Sequence, residues 1–247
     1  MWKPHPNFNA PHIDTKIWRY VDFTKLVRML ETRSLFFARS DRFDDPFEGS
    51  YPRFNVLFRD AVYGNKLPQK ALEGMVHVHR EVRRFVAINC WHMNSHESAA
   101  MWRLYLKSNE GIAIQSTYGK LISSLSNCEE DVFVGIVRYV DYDQQWMPEG
   151  NMFYPFLHKR KSFEHEKELR AMIARFPVLK TNERLDVAGD TIAKGIEVPC
   201  DISELVQEVY VAPSAPGWFA SLVELVVRRY DLQVKVTQSS LDQAPVY

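Results

Sequence analysis

What the chain lacks narrows its chemistry first. Lys and Arg number 31 and Asp and Glu also 31, so there is no global basic field of the kind that marks a general nucleic-acid binder. Local basic patches stay open. The three cysteines, Cys90, Cys128 and Cys200, are odd in number and far apart, which fits a reducing compartment better than a disulfide scaffold. No apolar run approaches the ~18 residues of a membrane span, and the opening MWKPHPNFNAPH has no apolar stretch of signal-peptide kind. The expectation is a cytoplasmic protein with no membrane partner. Cys90, His92 and His96 lie close together, with His77 and His79 upstream, but the spacing matches no standard zinc signature, and no metal site is expected. No internal repeat, low-complexity tract or compositional shift marks a linker, and no well-known catalytic motif stands out.

What is there suits a packed enzyme-sized domain. The 247 residues are 46% hydrophobic and 25% charged, the balance of a chain able to bury a core. Aromatics reach 13%, an excess that serves mostly the core, though pockets for flat ligands use the same residues. Residues 1–15, with three prolines and two asparagines, read as an irregular arm. Residues 16–247 read as a single α+β domain.

Periodicity supplies the elements. A short apolar strand delivers Arg19 and Tyr20. Phe23, Leu26, Val27 and Leu30 then recur at helical spacing behind Asp22 or Thr24 as cap. Ser34 to Arg39 reads as a strand, and Ser40 to Glu48 as a polar elbow with four carboxylates, Asp41, Asp44, Asp45 and Glu48. A long helix is expected from Leu67 to Val86, with His77, His79, Arg80, Arg83 and Arg84 on its solvent face. Strands are expected at Phe85–Cys90, Gly111–Gln115, Val132–Tyr142, Glu168–Arg175, Leu205–Val211 and Gln233–Thr237. Helices are expected over Glu97–Leu106, capped by Ser95, and after Pro216.

Three clusters carry the chemistry. Arg19 is a planar, permanent cation at a strand end, suited to phosphate or carboxylate; the alternative is that it pairs with Asp44, Asp45 or Glu48 and pins the elbow. In FEHEKELR, an extended backbone puts Glu164, Glu166 and Glu168 on one face, with Arg170 next on it. Three such carboxylates repel, so at least one needs a raised pKa or a cationic partner. Met101, Trp102 and Tyr105 share a helical face, either as core or as a wall for a flat ring. The run His158-Lys159-Arg160-Lys161 reads as a solvated loop or a phosphate contact.

These segments, in their order, resemble a bacterial family known as domain of unknown function 2971. The likeness is carried by Trp18 to Tyr20, the FDDPFE elbow at Phe43 to Glu48, AMWRLY and EGIAI between Ala100 and Ile114, FEHEKELR, and EVYVAP at Glu208 to Pro213. Asp44 stands where the family usually has Asn, and Leu169 where an aromatic often precedes the Arg. The strand–helix–strand opening is similar to that of the ADP-ribosyltransferases. That resemblance implies a central, mostly antiparallel split sheet with flanking helices. It also implies NAD as the consumed cofactor and a toxin or anti-phage defence effector modifying a macromolecule, RNA or protein, with an antitoxin or regulatory protein as partner. By this resemblance Glu168, Glu166 and Arg19 would be catalytic. Arg19, Tyr20, Ser40, Trp102 and Tyr105 would hold NAD, and Asp45, Glu48 and Arg170 would bind substrate. Two other classes stay open: a nuclease or nucleotide-processing enzyme using the acidic elbow with a divalent cation, and a non-catalytic binding or sensor domain.

Overall fold

A computed structural model of the chain describes residues 1–64, 66–105, 109–177 and 185–246. Strand β1 (Lys16–Asp22) runs directly into helix α1 (Phe23–Thr32). Asp22 ends one and caps the other: its carboxylate accepts the Lys25 amide at 2.8 Å, a contact worth about 1 kcal/mol. Thr24, the other expected cap, donates its hydroxyl to Asp22 instead. The helix buries Leu26, Met29 and Leu30 and stops at Arg33, which takes a left-handed backbone with φ 46°. Strand β2 (Ser34–Arg39) follows.

After a 3-10 turn at Ser40–Arg42 and the elbow come α2 (Arg53–Tyr63) and α3 (Gln69–Val82). Helix α2 was not expected, and its residues explain why. Its inner side carries the buried polar residues Asn55 and Arg59, while Val56, Leu57, Phe58 and Val62 are exposed, so the usual amphipathic pattern is inverted. Arg59 is held by Glu149 at 2.6 Å, and Asn55 donates to and accepts from the Met147 backbone. The long helix expected to Val86 ends at Val82. His79 leaves its assigned solvent face to stack on Tyr51, ring centroids 4.3 Å apart.

The remaining elements are β3 (Val86–Met93), α4 (Ala99–Tyr105), β4 (Gly111–Thr117), α5 (Tyr118–Ser124), β5 (Phe133–Ile136), β6 (Arg138–Val140), β7 (His158–Arg160), β8 (Glu168–Ala174), β9 (Gly195–Pro199), α6 (Ile202–Leu205), β10 (Glu208–Val211), α7 (Gly217–Arg229) and β11 (Lys235–Gln238). Helix α4 is capped by Ser98 rather than Ser95, through its hydroxyl and the Met101 amide; Leu106, its expected end, lies outside the described residues. The single strand expected over Val132–Tyr142 divides. The Val137 amide bonds the Glu168 carbonyl, but the Arg138 amide turns to Leu157, so β6 leaves the sheet to pair in parallel with β7. The strand expected from Leu205 begins at Glu208, because Asp201 caps a short helix over the first residues.

The architecture is α+β, a nine-stranded sheet flanked by helices, antiparallel at every pairing except β10 with β11. Its decisive feature is a fork. One edge of β3 is taken by β8, from Val86↔Ala174 to His92↔Glu168. The other edge is shared: β2 pairs only at Ala38↔Ile88 and Arg39↔Ala87, and β1 only at Ile17↔Met93 and Trp18↔His92. Between those contacts the two strands diverge, β1 toward β4 and β2 toward β9. Alternation along β3 and β8 sends Trp91, Leu169, Ala171 and Ile173 into the main core with α1, α5 and α7. The opposite face carries Ile88, Cys90, His92, Glu168, Arg170 and Met172. The N-terminal arm is pinned rather than loose: the Lys3 amide donates to Val132, and Phe8 packs on Phe133 and Phe153.

Candidate active site

The fork leaves backbone groups without sheet partners, and side chains from the neighbouring strands satisfy them. The Phe36 carbonyl on β2 accepts from the Asn89 amide at 2.9 Å and from Arg19 Nη2 at 3.4 Å. Arg19 thus bridges the gap, its guanidinium 5.9 Å from the Trp91 ring. Its Nη1 is buried with no hydrogen-bond partner. Burial lowers the Arg19 pKa, yet a guanidinium keeps its charge. A half-buried cation with one nitrogen left unpartnered favours an anion in the cleft.

Above the fork opens a cleft of about 710 Å³, the size of small-ligand sites. Its lining holds two groups of charged residues. One group comprises Arg19 on β1 and Lys25 and Arg28 on α1, with Glu197 of β9 beside them, and Arg42 lines the cleft from the 3-10 turn after β2. Lys25 and Arg28 are loosely held by Asp22 and Glu197 in exposed pairs, of the kind that contribute little. Among the described residues no acid lies within ion-pair distance of Arg19 or Arg42, since Asp45 is taken by Arg160 at 2.8 Å and Glu48 by Arg170. The ring of Phe36 lines the cleft beside this group, with Arg28 stacked over it.

The other group is a tightly built network in which Glu48, Glu166 and Glu168 enclose Lys159 and Arg170. Arg170, fully buried, is gripped bidentately by Glu48 at 2.6 and 2.8 Å and by Glu168 at 2.6 Å, and donates also to the Phe156 carbonyl. Lys159 Nζ bonds Glu166 and lies 3.4 Å from Glu168. Burial alone would push the Glu168 carboxyl up, but Arg170 and Lys159 more than offset it and hold it below the ordinary range. Burial pushes Glu166 up to about 7, with the Glu168 charge adding to the effect and Lys159 opposing it. Two adjacent carboxyls are thereby driven apart, one held below the ordinary carboxylate range and one raised to about 7, the arrangement that divides acid–base labour in active sites.

The arrangement corrects the alternating-face expectation. Lys161–Glu166 is a 3-10 turn, Lys167 is left-handed at φ 41°, and the strand begins only at Glu168. Glu164 turns out to solvent while Glu166 and Glu168 converge on Lys159. The turn relieves the repulsion that three carboxylates in a row would suffer. The basic run is likewise no solvated loop: His158 and Lys159 are buried, and Arg160 is tied to Asp45.

Of the site residues expected from the sequence, Arg19, Tyr20, Tyr105, Asp45, Glu48, Glu166 and Glu168 line the cleft. Three do not. The Ser40 hydroxyl is wholly buried and donates to the Arg83 carbonyl at 2.7 Å. Trp102 turns inward, its indole bonded to Glu97 and its ring 5.0 Å from Tyr20. Arg170 has no exposed surface, so it positions Glu48 and Glu168 rather than touching a substrate. Asp45 and Glu48 reach the cleft already paired to arginines. Sequence reasoning met Lys159 only within a basic run and His92 only as a metal candidate, and it assigned no site role to Arg42 or Phe36, which also line the cleft. Cys90 also lines the cleft, but burial raises its thiol pKa, leaving it a poor nucleophile. Among the described residues, no group of three or more His, Cys, Asp or Glu gathers as metal ligands.

No protein-family model and no curated relative matches the chain. Among solved structures it is similar to Thermus sp. 2.9 DarT in complex with NAD+, at 9% identity and a TM-score of 0.41, over 94% of this chain and 98% of that one. It is also similar to the same protein in complex with ADP-ribosylated ssDNA, at 8% identity and a TM-score of 0.42, over 94% and 97%. Scores this low carry no weight for fold or chemistry, which rest on the residues of the cleft itself.

Proposed function

We propose that the chain is an NAD-dependent ADP-ribosyltransferase acting on a macromolecule. The observation that carries this reading is the cleft with its two charged groups. NAD likewise has two parts, an anionic diphosphate some way from a cationic nicotinamide–ribose bond. Arg19, with an unpartnered buried nitrogen, takes a diphosphate or ribose oxygen, and Arg42 adds a second cation. Glu168, ionised and fixed by Arg170 and Lys159, faces the ribose. As the bond between C1′ and the nicotinamide nitrogen breaks, its electron pair leaves with neutral nicotinamide. The oxocarbenium-like C1′ is stabilised by the Glu168 carboxylate. A lone pair of the acceptor then forms the new bond to C1′, and the proton the acceptor loses passes to Glu166, whose pKa near 7 suits a general base. Tyr105 and Leu104, exposed at the rim, offer a surface to the acceptor.

A divalent-metal nuclease finds less support, because three of the four elbow carboxylates, Asp41, Asp45 and Glu48, are each paired with an arginine, leaving Asp44 alone among them. Titration calorimetry tests the reading directly. Wild-type protein is expected to bind NAD, and Arg19→Ala to weaken that binding by about 10- to 100-fold, the loss of one charge-assisted contact. Folded wild-type protein that takes up no NAD contradicts it.

A further inference from the structure

One buried polar atom in the cleft wall is absent from this mechanism. His92 is 3% exposed and lines the cleft. Its Nδ1 lies 2.6 Å from the Glu166 carbonyl. A carbonyl only accepts, so Nδ1 carries the proton and donates. Burial keeps the ring neutral, which leaves Nε2 as a bare acceptor, and Nε2 is closed from solvent with no partner. An unsatisfied buried acceptor is costly and uncommon in native proteins. His92 is part of the cleft wall, so a ligand seated there needs only a small shift of that wall to bring a donor to Nε2.

The position of His92 says which donor. It is the registered partner of Glu168 across the β3–β8 ladder and of Trp18 across the fork, and the Tyr20 ring stands 6.3 Å away. If Glu168 faces the ribose C1′, the leaving ring is one bond from that carbon and falls against this same patch of wall. We propose that His92 Nε2 accepts a hydrogen bond from the carboxamide N–H of nicotinamide and thereby selects NAD over its deamidated analogue, nicotinic acid adenine dinucleotide. This rests on the transferase reading above. A carboxamide offers two N–H donors. The carboxylate of the analogue offers none at neutral pH, and would bring a negative charge against a lone pair and toward Glu168. Sites built around a buried polar group reject ligands lacking its complement far more strongly than apolar pockets reject a change of size.

The test is calorimetry with both dinucleotides on wild type, His92→Gln and His92→Phe, with folding checked by thermal unfolding. Wild type is expected to prefer NAD by at least about tenfold. His92→Phe should bring the two affinities together. His92→Gln, whose amide can rotate to accept or donate, should tolerate both. On wild-type protein labelled with ¹⁵N-histidine, the Nε2 resonance should move on adding NAD and stay put on adding the analogue, a readout that needs no variant to fold. NAD bound without discrimination, or full preference retained by folded His92→Phe, overturns the assignment alone. Wild type binding neither dinucleotide overturns the transferase reading and this assignment with it.

Discussion

At the scale of single residues, the site turns on one lysine between two glutamates. Without Lys159, Glu166 and Glu168 would both be desolvated acids repelling one another. With it, and with Arg170 behind Glu168, the two separate into a held carboxylate and one that titrates near 7. The sign of the resulting pH dependence follows. Glu166 must be unprotonated to take the acceptor's proton, so kcat/KM for transfer should rise as pH increases through about 7 and fall below it. Glu168, held below the ordinary carboxylate range, adds no second step there. Replacing Glu166 with Gln should lower transfer and erase that limb, measured from about pH 5.5 to about 8.5 at fixed ionic strength. A wild-type profile that is flat across neutrality removes Glu166 from the role.

At the scale of elements, the strands flanking the fork were readable and the turn feeding the acid wall was not. Residues of β2, β3 and β8 are mostly apolar on the face that packs into the main core, with Arg39 and Asn89 the polar exceptions. FEHEKELR read as an extended entry because period-2 charge looks like a strand face. Only the tertiary position of Lys159, on β7, makes a 3-10 turn the better solution, and no local rule reports a partner brought in from another strand. Helix α2 was missed for a related reason, since its buried residues Asn55 and Arg59 are polar and satisfied by Met147 and Glu149, far along the chain. Tyr20 and Tyr105 line the cleft, while Trp102, on the same helical face as Tyr105 by spacing, turns inward as α4 packs on β1. Arg170 belongs to this scale too, because it ties β8 to the elbow through Glu48. Arg170→Met would strand two buried carboxylates, a loss of about 3–5 kcal/mol, read as a lower urea midpoint with an unchanged m-value. An unshifted midpoint would show that the elbow is held by other contacts.

At the scale of the whole molecule, a neutral net charge conceals an uneven pairing of charges inside the cleft. The formal charges cancel over the chain, yet the cleft gathers Arg19 and Arg42, with no acid in ion-pair distance among the described residues, beside the Glu48, Glu166 and Glu168 carboxyls that enclose Lys159 and Arg170. Tertiary packing brings these sequence-distant groups around a single cavity. Composition alone could not reveal it, because it averages over the whole chain. An otherwise mixed surface also leaves the cleft as the natural place for a ligand that carries both signs of charge.

The most direct measurement is release of nicotinamide from NAD by purified protein incubated with fractionated bacterial DNA, RNA and protein in turn, wild type beside Glu168→Gln, with labelled ADP-ribose followed into each fraction. The account predicts nicotinamide release coupled to label in one class of macromolecule, reduced about 10²- to 10³-fold by Glu168→Gln as for loss of a transition-state electrostatic group. Nicotinamide release and labelling unchanged in folded Glu168→Gln, or absent from the wild type with every fraction, would contradict it.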